Sequence, residues 1–114
     1  MHELSIVASM IHIIREHMAR NGAKYLREIK IRVGEMAAAE PDALRFCFNV
    51  CTEGTELEGA IIDIEEVPLT GQCVDCKQEF RLDRYLDSTC SACGGEAAGY
   101  LSGLELDIVS IEVD

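Results

Sequence analysis

Four cysteines in two pairs are the residues best suited to chemistry in this sequence. Cys73 and Cys76 form one C-x-x-C motif, Cys90 and Cys93 form a second, and thirteen residues lie between the pairs. Two residues between thiols let one tight turn direct both sulfurs at one point, so two turns supply the tetrahedral thiolate set that suits Zn2+. The spacer is slightly shorter than the usual range of about 15–20 residues. A closed four-thiolate site has no open coordination position, so the pattern predicts structural rather than catalytic zinc.

Other chemistry open to these cysteines is a pair of disulfides, a redox dithiol or an iron site. We find no secretory signal, because His2, Glu3 and Arg15 interrupt the first apolar run. We therefore expect a cytoplasmic chain with reduced thiols, and a thioredoxin-like C-x-x-C would stand alone rather than in a matched pair. Gly94 and Gly95, directly after the second pair, permit the positive φ that such a turn tends to need.

The first three residues offer a different kind of metal chemistry. The α-amine of Met1, the amide nitrogen of His2 and the His2 imidazole can close around one cation. The amide nitrogen of Glu3, or a carboxylate, then completes a tetragonal nitrogen and oxygen set, which suits Ni(II) or Cu(II). Spacing alone makes this a weak signal. His12 and His17 are five residues apart and do not share a helical face, so we interpret them as surface histidines.

Composition narrows the class of partner. The 114 residues suffice for one compact domain, or for a domain with a small module. The formal charge of −11 argues against nucleic acid, because affinity for nucleic acid depends on neutralising phosphates with Lys and Arg. No apolar run is long enough to cross a membrane. We find no nucleophile paired with a base and no cofactor loop, so the sequence does not predict an enzyme.

Helical and strand periodicities predict the elements that position these motifs. Residues 3–20 predict an amphipathic helix, and the alternation over Tyr25–Val33 predicts a half-buried strand. Pro41 suits the first position of a second helix, which Gly54 ends. The apolar face of the first helix comprises Leu4, Val7, Ala8, Ile11, Ile14 and Met18.

Two further cysteines lie on the second helix. Leu44, Cys47, Phe48 and Cys51 form its apolar face. Cys47 and Cys51 are four residues apart, a spacing that permits them to ligate a metal. We predict core packing instead, because reduced cysteine packs as a small hydrophobic residue and the neighbours are Phe and Leu.

The remaining pattern predicts two more strands. Leu57–Val67 forms the second, and the third runs from Gly99 to the terminus. The alternation of the third strand slips in phase, which predicts a β-bulge or sharp twist near Ile108–Val109. Between the cysteine pairs only a small core is available, so the metal should hold this module together. The side chains available to that core are Phe80, Leu82, Tyr85 and Leu86.

The order of elements predicts an α+β two-layer fold. A three-stranded sheet is covered by two helices, and a zinc-ribbon-like module with four cysteine ligands is inserted between the second and third strands. The predicted domains are residues 1–68 plus 99–114, which bind nickel, and residues 69–98, which bind zinc. The ends of the insertion, Pro68 and Gly99, should lie close together.

Taken together, these motifs resemble the HypA/HybF family over essentially the full length. The chain opens with Met-His-Glu-Leu-Ser, continues with Ile29–Glu35 and Phe46–Phe48, then carries the two C-x-x-C pairs and ends with Ile111–Val113. The resemblance implies a nickel metallochaperone that serves nickel–iron hydrogenase maturation.

The same resemblance implies the ligands of two metals. Nickel, the transferable cargo, would bind His2, Glu3 and the amine and backbone nitrogens that begin at Met1, with Glu40 as a further ligand. Structural zinc would bind the four cysteines, Cys73, Cys76, Cys90 and Cys93. Some relatives carry histidines beside the zinc cysteines, whereas this sequence has none after His17.

Partners follow from the resemblance as well. It implies a HypB-like maturation GTPase, the hydrogenase large subunit and a second copy of the chain, with no nucleic acid and no membrane. One rival interpretation is a zinc-ribbon adaptor for protein or nucleic acid that carries no transferable metal. Another is a redox protein whose cysteines hold iron or exchange thiols.

Overall fold

Two helices and six strands make up the described part of the chain. The computed structural model describes residues 3–37, 39–82, 89–90 and 92–114. In chain order the elements are α1 (Glu3–Arg20), β1 (Leu26–Gly34), α2 (Pro41–Thr52), β2 (Ile61–Val67), β3 (Thr70–Cys73), β4 (Glu79–Arg81), β5 (Ala97–Ser102) and β6 (Leu106–Val113). None of the helices in the described ranges has the length and apolar character that a membrane span requires.

The chain forms two compact units. Unit 1 comprises Met1–Arg32, Ala38–Glu65 and Asp107–Asp114, and unit 2 comprises Val33–Ala37 and Glu66–Leu106. The cysteine pairs lie in unit 2, while both helices lie in unit 1. The assignment of nickel binding to one domain and zinc binding to the other stays a prediction.

A three-stranded sheet with the order β2-β1-β6 confirms the predicted α+β class. In β1, Ile29, Ile31 and Val33 are buried while Arg32 is exposed, as the alternation predicts. The two helices contact each other. Buried hydrophobic side chains come from α1, α2, β1 and β2, so these elements supply the core of unit 1.

The buried face of α1 is rotated from the predicted one. Leu4 is 57% exposed and Ala8 is exposed, so their prediction as core residues was wrong. Ile6 and Met10 are buried instead, beside the correctly predicted positions from Val7 to Met18. The sequence correctly predicts an apolar stripe along α1. Because this stripe is wide, the packing of the helix decides which part of it is buried.

The core face of α2 excludes both of its cysteines. Leu44, Phe48 and Thr52 are the buried residues, each four positions after the last. Cys47 and Cys51 lie one position before Phe48 and Thr52 and are only half-buried. Their predicted packing in the core is therefore only partial, because a rotation of about 100° per residue places them at the flank of the buried stripe.

Strand β2 starts four residues later than predicted. Leu57 is fully buried, but it lies in a turn whose backbone hydrogen bonds include Ala60 N–H donating to the Leu57 carbonyl at 3.3 Å. Gly59, at φ +87°, ends this turn in the left-handed region that glycine adopts without a steric penalty. Within the strand, Ile62 is buried and Ile61 is exposed.

The predicted long third strand is two strands in two sheets. Strand β5 pairs in the sheet with the order β4-β3-β5, whereas β6 pairs with β1. The chain breaks at Gly103, whose φ of +106° is compatible with glycine but not with an extended strand. A Cβ atom on Gly34 would also collide with the Gly103 carbonyl, so both positions require glycine.

Burial along β6 agrees with the predicted change of phase. Ile108, Ile111 and Val113 are half-buried, whereas Val109 is exposed. Ile108 and Ile111 are three residues apart, whereas Ile111 and Val113 are two residues apart. A regular strand keeps a period of two, so the phase changes between Ile108 and Ile111.

The inserted module is built on the small second sheet. The predicted ends of the insertion were Pro68 and Gly99. In the structure Pro68 lies next to Ser102, whose hydroxyl donates to the Pro68 carbonyl at 2.8 Å. Leu69 and Leu82 are buried in this module and Phe80 is half-buried. The other two predicted core residues, Tyr85 and Leu86, lie outside the described residues.

Candidate metal centres

The four cysteines of the two C-x-x-C motifs converge on one point. Their sulfur atoms all lie within 4.8 Å of one another. Cys73 Sγ lies 3.4 Å from Cys93 Sγ, and Cys76 Sγ lies 3.7 Å from Cys90 Sγ. A tetrahedral zinc with Zn–S bonds of about 2.3 Å has S···S edges of about 3.8 Å. The donor set therefore fits zinc in its type, number and spacing.

The first cysteine turn leaves the end of β3. The Cys76 N–H points at Cys73 Sγ, 3.5 Å away, and the Lys77 N–H donates to the Cys73 carbonyl at 3.2 Å. Lys77 has φ +64°, and among the residues that the structure describes it is the one non-glycine residue in the left-handed region. This strained position closes the turn and directs both sulfurs to the same side.

The second turn repeats the first. The Ala92 N–H points at Cys90 Sγ, 3.4 Å away, and the Gly94 N–H donates to the Cys90 carbonyl at 2.9 Å. Gly94, at φ +79°, confirms the predicted need for glycine. We did not predict the matching role of Lys77, although its position directly after Cys76 corresponds to that of Gly94 after Cys93.

Gly95 has a separate role beside the cluster. A Cβ atom there would lie 3.0 Å from Cys73 Sγ, closer than ordinary van der Waals contact. The Gly95 carbonyl also accepts a hydrogen bond from the Cys90 N–H at 2.6 Å. The absence of a side chain at Gly95 thus lets the two cysteine turns approach each other.

The thiols of the cluster oppose one another's ionisation. The backbone N–H of Cys76 is the main cause that lowers the pKa of Cys73 to about 7. The Gly95 N–H acts to lower the pKa of Cys93, but the sulfurs of Cys73 and Cys76 outweigh it and raise that pKa to about 12. One thiolate therefore forms readily and its charge disfavours the next. A bound divalent cation removes this conflict, because it stabilises all four thiolates together.

The whole sequence matches one protein family. A family model described as "Hydrogenase/urease nickel incorporation, metallochaperone, hypA" matches residues 1–113. The chain belongs to the HypA family. The family description calls its members metallochaperones, a role that is consistent with the prediction that the chain is not an enzyme.

Named relatives and solved structures agree with this membership. The chain is 40% identical to a hydrogenase maturation factor HypA of Geotalea uraniireducens, with all of both chains covered. It is also 40% identical to the HypA of Nostoc punctiforme, covering all of this chain and 96% of the relative. The solution structure of the Ni metallochaperone HypA from Helicobacter pylori matches with a TM-score of 0.66 at 26% identity, covering 99% of this chain and 97% of that one.

The predicted nickel ligands of this HypA-family chain lie apart from the cysteine cluster in sequence. Met1 and His2 lie outside the described residues. Glu3 is half-buried at the first position of α1, and Glu40 directly precedes α2. Within the ranges that the structure describes, the four cysteines form the one group of three or more potential ligands. The nickel site therefore stays a prediction.

Glu40 has a structural role that the sequence did not predict. Its Oε2 accepts a hydrogen bond from the Ala43 N–H at 2.8 Å, so Glu40 is the N-cap of α2. Pro41 follows at the first helical position, where its missing N–H costs nothing. The signal was available in the sequence, because an acceptor side chain before Pro and an acidic residue is typical of a helix start.

Substitution of Glu40 should separate the cap from metal binding. Glu40→Gln keeps an acceptor oxygen for the Ala43 N–H, so we expect the melting temperature to stay near that of the wild type. If the carboxylate ligates nickel, the Kd for nickel rises by about tenfold. Glu40→Ala should in addition destabilise the protein by about 1 kcal/mol through loss of the cap. Calorimetric nickel titration and thermal unfolding measure the two effects.

The control is Asp42→Asn, which removes a neighbouring carboxylate from the same helical turn. The Asp42 side chain is 86% exposed and pairs with Arg45 at 2.9 Å. We expect the Asp42→Asn substitution to leave the nickel affinity unchanged. Equal losses in Glu40→Gln and Asp42→Asn would show that general surface charge, not ligation by Glu40, sets the affinity.

Proposed function

We propose that this chain is a nickel carrier of hydrogenase maturation. It binds Ni(II) through the Met1 amine, His2 and Glu3, and it delivers the ion to the large subunit of a nickel–iron hydrogenase. The observation that carries the proposal is the match of residues 1–113 to a family described by nickel incorporation. The opening Met-His-Glu supplies the nitrogen and oxygen donors that Ni(II) accepts.

The position of α1 favours the participation of backbone nitrogen. The helix begins at Glu3, and the first N–H groups of a helix have no partner within it. The amide nitrogen of Glu3 can therefore ligate without breaking a helical hydrogen bond. The positive end of the helix dipole opposes a cation there, so the site needs anionic donors. A deprotonated amide and the Glu3 carboxylate provide them.

Carriage requires release as well as binding. A site made of one amine, one imidazole and backbone nitrogen loses donors when it is protonated, so nickel affinity should decline as the pH falls through the range in which histidine titrates. Copper(II) should bind the same donors more tightly on the Irving–Williams order. Selectivity for nickel then comes from supply and partners.

The zinc site has a structural role in this proposal. Its four sulfurs close the coordination sphere, so zinc in that cluster has no position at which to bind a substrate. The site holds together a module with few buried side chains, Leu69, Leu82 and two of the cysteines among them. This supports a docking element and not a catalyst.

The partners remain those that the family resemblance implies. They are a HypB-like GTPase, the hydrogenase large subunit and a second copy of the chain, with no role for nucleic acid or membrane. A net charge of −11 favours basic protein faces over phosphates. Six cysteines without a disulfide fit a reducing compartment, so we place this function in the cytoplasm.

Equilibrium dialysis on two forms of the protein tests the proposal. The native form should bind one nickel and one zinc. A form with residues added before Met1 should bind zinc but lose the strong nickel site, because its amine is no longer beside His2. Equal nickel binding by both forms would reject the N-terminal chelate and favour a zinc-ribbon adaptor without transferable metal.

A further inference from the structure

Helix α2 carries two cysteines that neither the core nor the zinc cluster uses. Cys47 and Cys51 lie one helical turn apart, both thiols are free, and both are half-buried. The buried positions of this helix are occupied by Leu44, Phe48 and Thr52. The two thiols therefore lie at the half-buried flank of the helix, beside its fully buried positions and not among them.

The helix sets the distance between these thiols. Side chains at positions i and i+4 have Cβ atoms about 5–6 Å apart. A disulfide needs Cβ atoms about 3.5–4.5 Å apart, so an intact α2 disfavours oxidation of the pair to an internal disulfide. Each sulfur can rotate about one bond toward the other, so a single ion bound by both sulfurs can bridge the pair.

The number of donors decides which ion fits. Among the residues that the structure describes, Cys47 and Cys51 belong to no group of three or more potential ligands. Zinc and nickel generally take four or more donors, whereas soft thiolates select Cu(I), which binds two sulfurs in a line. The pair is therefore suited to a thiophilic monovalent cation.

The surface of α2 beside the pair is apolar. Exposed Phe46 (69%) and Val50 (53%) lie beside the cysteines on the helix and offer apolar cover to an ion with no need for water ligands.

We propose that Cys47 and Cys51 form a second metal site, two-coordinate and specific for soft monovalent cations of the Cu(I) class. Binding forms two Cu–S bonds and releases the two thiol protons to solvent, with no change in oxidation state. The site is independent of the N-terminal nickel chelate and of the zinc cluster. Because the ion links two successive turns, it also stabilises α2 against unfolding.

Anaerobic titration with Cu(I), buffered by a chromophoric chelator, tests the site on the zinc-loaded full chain. The wild type should bind one more equivalent of Cu(I) than Cys47→Ser/Cys51→Ser, while a zinc indicator reports equal zinc retention in both. Each single serine variant should weaken the extra site by at least about tenfold. Equal Cu(I) stoichiometry and affinity in wild type and double variant would overturn the proposal.

A second measurement avoids the substitutions altogether. Wild-type protein with and without one equivalent of Cu(I) is treated with iodoacetamide, and the peptide containing Cys47 and Cys51 is analysed by mass spectrometry. Cu(I) should reduce alkylation of both cysteines together. Unchanged alkylation, or protection of one cysteine alone, contradicts a two-thiolate site. Nickel dialysis on the double variant should match the wild type, so failure of this site leaves the carrier function unaffected.

Discussion

Cys73→Ser should abolish the zinc site and unfold the module around it. Cys73 is fully buried, its sulfur lies 3.4 Å from Cys93 Sγ, and its pKa is lowered to about 7, so it ionises more readily than an ordinary thiol. Serine offers a poor donor for zinc. Structural zinc contributes about 10–16 kcal/mol of binding free energy in small zinc folds, and that energy is also folding energy.

The expected result is a zinc content near zero after dialysis, against one equivalent in the wild type. Limited proteolysis should then cleave within residues 69–98, while the helical circular dichroism signal of α1 and α2 persists. Cys47→Ser is the matched control, since it makes the same chemical change outside the cluster and should retain full zinc. A Cys73→Ser protein that keeps one tightly bound zinc would contradict the four-thiolate site.

Two further readouts follow from the same site. Metal analysis and the absorption spectrum of the purified protein distinguish zinc, which is colourless, from the coloured rubredoxin-like iron of the redox interpretation. Zinc affinity should fall more steeply once the pH falls below about 7, because the Cys73 thiol, whose pKa is lowered to about 7, then also takes up a proton in competition with the metal. Insensitivity to pH in that range would exclude a thiolate cluster.

His2→Ala should abolish the strong nickel site and leave the fold intact. The imidazole is the one aromatic nitrogen donor of the proposed chelate, so its loss should raise the Kd for nickel by at least tenfold, about 1.4 kcal/mol. The buried side chains of α1 run from Ile6 to Met18, so substitution of residue 2 leaves them unchanged. Circular dichroism, melting temperature and zinc content should therefore match the wild type.

His12→Ala provides the matched control. The His12 side chain is 74% exposed, and its Nε2 lies 3.1 Å from Glu16 Oε1 on the surface of α1. We expect the His12→Ala substitution to leave the nickel affinity unchanged. Wild-type nickel affinity should also decline between about pH 7 and pH 5, because protonation of an ordinary histidine removes a ligand. Unfolding of His2→Ala would instead show that residue 2 is a structural element, and equal nickel binding in both variants would reject the chelate.

Local patterns predicted most of the elements, and long-range pairing produced the errors. The bounds of α1, β1 and α2 follow from periodicity and from Pro41, which act within a few residues. The third strand was predicted as one element because both of its halves are apolar and extended. Pairing with two different partners, β3 and β1, divides it at Gly103.

The rotation of each helix about its own axis, which decides its buried face, could not be predicted from the local sequence either. An apolar stripe on α2 includes both Cys47 and Phe48 in the sequence, and only packing buries Phe48 and leaves Cys47 at the flank. The cap at Glu40 differs, because its place before Pro41 made it readable from the sequence, although only the structure shows that its Oε2 accepts the Ala43 N–H. Sequence spacing specifies candidate ligands but not which of their atoms are already engaged.

By itself the sequence determined the family, the four clustered cysteines and the α+β class, whereas the nickel donors that it suggests at the N-terminus stay a prediction. It did so because each depends on residue identity at short spacing: a C-x-x-C pair forms one turn, and an alternating run forms one strand. Tertiary structure alone brought the two turns, thirteen residues apart, to sulfur distances of 3.4 and 3.7 Å. It also placed Cys47 and Cys51 at the half-buried flank of α2, because burial depends on which elements pack together.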